Sequence, residues 1–163
     1  MSFLPDPLHP AVVHFPIALT FVALLFEVAS RVPRWRTLES GSLLLIVLAA
    51  LGAVAGVVTG HLAHEEAVVP AEARALLEQH EELGVLLGWG LPLLAVARAW
   101  LARAGRRYGP LGLLYLALLG VVCGAMAYQG HLGGRLVYDH GVGTAPLLSP
   151  PVSGGDPGPA LGR

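Results

Sequence analysis

Apolar residues run along this chain in four long blocks, at 11–30, 41–62, 83–101 and 110–131, and polar residues collect in the short stretches between them. A bilayer core about 30 Å thick takes roughly 20 apolar residues as helix, so each block predicts a membrane-spanning helix. No basic stretch precedes the first block, which predicts an anchor rather than a cleaved signal peptide. The expected fold is all-α: an integral membrane four-helix bundle, up-and-down, over residues 1–144. Residues 145–163, APLLSPPVSGGDPGPALGR, form a tail rich in proline and glycine.

Composition supports the same class. Of the 163 residues, 55% are hydrophobic and 13% charged, where a soluble domain carries about 25% charged residues and can cover its surface with them. A net charge of −1 offers nothing to nucleic acid. Cys123 is the lone cysteine, which excludes an internal disulfide and a thiolate metal cluster.

Charge in the links sets an expected orientation. The link after the first block carries Arg31, Arg34 and Arg36, and the third link carries Arg98, Arg103, Arg106 and Arg107. Positive links face the cytoplasm. The middle link, HEEAVVPAEARALLEQHEE, is acidic. We therefore expect both termini outside a bacterial inner membrane. Glu27 reads as a helical i, i+4 partner of Arg31. Ser30, Ser40 and Ser42 lie at the end away from the histidines, so nucleophilic catalysis is not expected.

All seven histidines fall at the other, outer end of the predicted helices: His9 and His14, His61 and His64, His80, His131 and His140. The order is also repeated. His14 leads through an arginine link to TGHL at 59–62, and His80 leads through another to QGHL at 129–132. Two parallel helical hairpins related by an axis along the membrane normal would place His14 opposite His80 and His61 opposite His131.

Glycines extend the pattern. Gly84 and Gly88 follow His80 at helical spacing, and Gly120, Gly124 and Ala127 lead to His131. Such stripes admit a neighbouring helix, or a flat macrocycle hung from the histidine. A b-type haem needs one or two axial imidazoles, an apolar slot and an exit for its propionates. His14 and His80 are the expected axial pair, bis-histidine, with His61 and His131 a second pair or supporting groups. Arg135 is the expected propionate partner. Pro16 leaves the Val12 carbonyl without its helical donor, a free acceptor beside His14. A histidine-lined metal-ion site is the competing chemistry, and a structural subunit of a larger membrane redox assembly is the third reading.

The segment GHLGGRLVYDHGVG at 130–143 reads as a helix end at Gly130, Gly133 and Gly134, followed by a short extended piece. That piece would form a lid in which Arg135, Tyr138 or His140 touches a cofactor edge. Together with HPAVVHFPIAL at 9–19 it resembles the DUF2231 family of small bacterial four-helix membrane proteins, across roughly residues 8–143. The resemblance implies interest in His9, His14, Pro16 and His80, and in Gly133, Gly134, Val137, Tyr138, His140 and Gly141. The family is similar in context to membrane domains attached to c-type cytochromes, which implies redox work. The expected function is a cytochrome b-like protein with one or two haem b groups. It would carry electrons between quinol in the membrane and an external c-type cytochrome or larger complex.

Overall fold

The computed structural model describes residues 9–66 and 69–143, with the side chains of 63–66 set aside. The tail at 145–163 and the His64 side chain lie outside the described residues. Four helices follow in order: α1 (His9–Ala29), α2 (Leu38–Glu66), α3 (Arg74–Arg103) and α4 (Pro110–Tyr138), with single 3-10 turns at Pro33–Trp35 and Ala71–Ala73. No strand occurs among the described residues. All four helices are long and apolar enough to cross a membrane.

The helices pack as an up-and-down ring, α1 on α2, α2 on α3, α3 on α4, with α1 and α4 touching least. α1 and α3 are therefore diagonal. Pro16, Thr20, Ala23 and Glu27 form the buried face of α1, and Leu87, Leu91, Leu94, Arg98 and Leu101 that of α3. Both sets follow the three-and-four spacing of one helix face. Ile46, Leu91 and Leu119 fill the centre without exposure. Outside it the helices stay apolar, with Leu86, Leu93, Val96 and Val121 all strongly exposed. No span's most apolar window is more than 39% buried, so most of the apolar surface is left for lipid to cover.

Loop chemistry sets the helix ends. Gly105, at φ +64°, caps α3; the Gly105 N–H donates to the Ala102 carbonyl and the Arg106 N–H to Leu101, the paired closure of a Schellman motif. Pro110 opens α4 at its first turn. Gly112 then packs so closely on the Arg107 backbone that a Cβ would overlap it.

Three expectations about extent are corrected. Arg98 is not in a link: it lies inside α3 with 1% exposure, because Glu27 supplies a buried counter-charge. Helix α3 starts at Arg74 rather than near 83, so most of the acidic link is helix and His80 sits well inside it. Gly130, Gly133 and Gly134 do not end α4, which runs on through the LVY segment to Tyr138. None of them takes a positive φ; Gly141 does, at +67°, and the Val142 N–H returns there to the Leu136 carbonyl.

Candidate functional site

The two ends of the bundle carry different chemistry. At the histidine end, each hairpin holds one histidine against a polar side chain of its partner helix. His9 on α1 lies 3.2 Å from the Thr59 hydroxyl on α2. The Thr59 hydroxyl proton goes to the Ala55 or Gly56 carbonyl, so its oxygen accepts from His9 Nδ1–H. His80 on α3 meets Gln129 on α4: Gln129 Nε2 donates to the His80 carbonyl at 2.8 Å and faces His80 Nε2 at 3.3 Å. The carbonyl contact requires the amide nitrogen there, which fixes the orientation of Gln129. His80 Nε2 is then an acceptor, and the neutral ring carries its proton on Nδ1.

The two pairs are equivalent in register, at separations of 50 and 49 residues. Thr59 and Gln129 are the first residues of TGHL and QGHL. Each ring also leans on a partner-helix glycine: a Cβ at Gly60 would stand 3.0 Å from His9 Cε1, and one at Gly133 3.1 Å from His80 Cε1. The internal repeat therefore matches His9, not His14, with His80, and the two lie within electrostatic reach of each other. The pairs differ in completeness. His80 Nδ1 and Gln129 Oε1 are buried and have no partner.

The other expected site residues fall elsewhere. His14 is exposed on α1, and its Nδ1–H is bonded to the Pro10 carbonyl rather than the Val12 carbonyl freed by Pro16. His61 is exposed. His131 is also exposed, with its ring 6.4 Å from that of Tyr128. Tyr138 is almost fully exposed and His140 half-buried. Arg135 is bound to Asp139 at 3.2 Å on the surface of α4. A Cβ at Gly84 would meet Gln129 Nε2 at 3.1 Å, and the space beside Gly88 is filled by Val57. Gly124 faces open space, with Gly120 and Gly130.

A haem hung from His14 and His80 needs both rings turned into one slot and clear faces at Gly84 and Gly88. Here His14 faces outward and both glycine faces are covered by protein side chains, so these residues do not fit a haem at that place. Among the described residues no group of three or more His, Cys, Asp and Glu could hold a metal ion.

The arginine end bears out the expected Glu27–Arg31 pair and extends it into a buried centre. Glu27 Oε2 accepts from Arg98 Nε and from the Ser42 hydroxyl, both at 2.8 Å. Arg31 donates to Glu27 Oε1 at 3.3 Å and, through Nη2, to the Gly112 carbonyl at 2.9 Å. Tyr115 on α4 lies within electrostatic reach of Glu27, Arg98 and Arg31. All four helices contribute. The available signal was spacing: Glu27 and Arg98 continue the buried faces of α1 and α3.

Fold, hydropathy and outward apolar surface define an integral membrane four-helix bundle. The chain belongs to the family described as "Predicted membrane protein (DUF2231)", which matches residues 5–146. No curated protein and no solved structure matches it.

Proposed function

We propose that this membrane protein binds the hydroxylated head of a quinol-class lipid at its histidine end and serves electron transfer at the outer face of a bacterial inner membrane. One observation carries the reading: His80 Nδ1–H is a buried donor without an acceptor, and Gln129 Oε1 a buried acceptor without a donor. A buried polar atom left unpaired costs about 1–3 kcal/mol. Hydroxyl groups answer both needs, since a hydroxyl can accept from Nδ1–H and can donate to Oε1. An open groove of about 510 Å³ runs along the same α3–α4 seam, lined by Gln79, Glu82, Leu83, Leu86, Ala125 and Tyr128. Leu83, Leu86 and Ala125 in its walls suit the ring and tail of such a lipid.

The test is saturable binding of a short-chain quinol to the purified protein in micelles, read by quenching of tryptophan fluorescence. Gln129→Leu is expected to weaken binding about tenfold, while Thr59→Val leaves it unchanged. Equal binding by both variants would sink the reading. A reporter fused after Arg163 tests orientation and is expected to be active only outside the cytoplasm.

A second reading keeps a haem b but moves it to the outward face of α4. The supporting observation is the open stripe at Gly120 and Gly124, which leads to exposed His131. His131 would supply the axial imidazole, and an external c-type cytochrome would take the electron. Visible spectra of the oxidised and reduced protein decide it: sharp reduced bands lost in His131→Ala support the reading, and their retention rejects it.

A further inference from the structure

At the arginine end the buried atoms Arg98 Nη1 and Tyr115 Oη have no partner, while Arg107 Nη1 is ion-paired with Glu39. Arg98 and Tyr115 are 1% and 3% exposed. The acceptors of that centre are already engaged. The Glu27 carboxylate takes Ser42, Arg98 Nε and Arg31. Its carbonyl takes Ser30 and Arg31, and the Gly112 carbonyl takes Arg31. Arg98 Nη1 is left over as a donor, and Tyr115 Oη as a hydroxyl with no partner.

Charge is also unbalanced. One carboxylate, Glu27, faces two guanidiniums, Arg98 and Arg31. Glu39 does not correct this, because its carboxylate is held by Arg107 and Tyr108. It offers Arg98 only its backbone carbonyl, at 3.4 Å. Arg31 keeps 21% of its side chain exposed, so the cost falls on buried Arg98, which shares Glu27 with it. A water molecule would accept from both donors, but it brings no charge and adds two O–H donors of its own. A small anion meets both needs through charge-assisted hydrogen bonds.

We infer that the arginine end binds a small monovalent anion of chloride size between Arg98 Nη1 and Tyr115 Oη. The inference is independent of any ligand at the histidine end. The walls are α1, α3 and α4.

The test compares melting of the full-length protein in micelles with sodium chloride and with sodium gluconate at equal ionic strength. Chloride is expected to raise the melting temperature to saturation, and gluconate, too large for the centre, is not. Tyr115→Phe keeps the ring and loses only the hydroxyl, so it is expected to weaken the chloride response about tenfold. Identical melting in both salts, or an unchanged response in Tyr115→Phe, would overturn the proposal and leave water as the occupant. A direct reading avoids variants: chloride-35 line broadening by the unmodified protein, reversed by bromide, supports the site. No excess over protein-free micelles rejects it.

Discussion

The two ends of this bundle solve the same problem in different ways. Each must hold polar side chains inside an apolar ring of helices, where an unmatched group is expensive. The arginine end does so with full charges: Glu27, Arg31 and Arg98 draw α1, α3 and α4 onto one point, and Ser42 adds α2. The histidine end uses neutral pairs, one per hairpin, at His9–Thr59 and His80–Gln129. The atoms left unpaired differ accordingly. They are an N–H donor and a hydroxyl at the arginine end, and one donor and one acceptor at the histidine end. Charge locks helices together, and neutral pairs hold them more loosely.

The largest effect expected from this contrast lies at Glu27. Glu27→Leu leaves Arg98 buried without its partner and is expected to cost about 3–5 kcal/mol, read as unfolding free energy in mixed micelles. Glu27→Leu combined with Arg98→Met removes both charges and should recover most of that loss. A double variant as unstable as the single one would show that the pair is not the lock. Next comes Gln129→Leu, which removes the donor to His80 Nε2 and is expected to cost about 1–3 kcal/mol. Thr59→Val, at the less buried counterpart, should cost visibly less in the same assay. Equal losses would erase the difference between the hairpins.

Two glycines refine the picture on a smaller scale. Gly133→Ala puts a methyl 3.1 Å from His80 Cε1, so the ring must shift by a few tenths of an ångström. The expected result is a loss of about 1 kcal/mol and a changed His80 ring signal by NMR. Gly124→Ala meets nothing within 4 Å and should be neutral or stabilising by up to about 1 kcal/mol through helix propensity. The smallest effect belongs to Asp139→Ala. It breaks a half-exposed pair with Arg135 and is expected to change stability by less than about 0.5 kcal/mol.

Hydropathy made the four spans legible, because roughly twenty apolar residues in a row have few other uses. It was blind to faces. Arg98 reads as a link residue in the sequence because charge inside an apolar block is normally found at its edge. Its place three residues before Leu101 and four after Leu94 marks it as buried. The amphipathic start of α3 was hidden for the opposite reason: its charges near 74–82 resemble those of a loop. The TGHL and QGHL repeat was visible, but which histidine each motif serves was not. His9 and His14 lie on different faces of α1, and only packing against α2 selects His9. Glycine counts misplaced the end of α4, since a glycine stops a helix where its φ turns positive, as at Gly141, and not elsewhere.

The bond from Arg31 Nη2 to the Gly112 carbonyl joins the end of the first helix to the start of the last. During synthesis Arg31 emerges long before Gly112. Until residues 110–112 arrive, α1 can pair with α2 but cannot close the ring, and the guanidinium keeps Glu27 and water for company. Arrival of α4 is therefore sensed by a residue made some eighty positions earlier. The bond can form only once the last helix is seated.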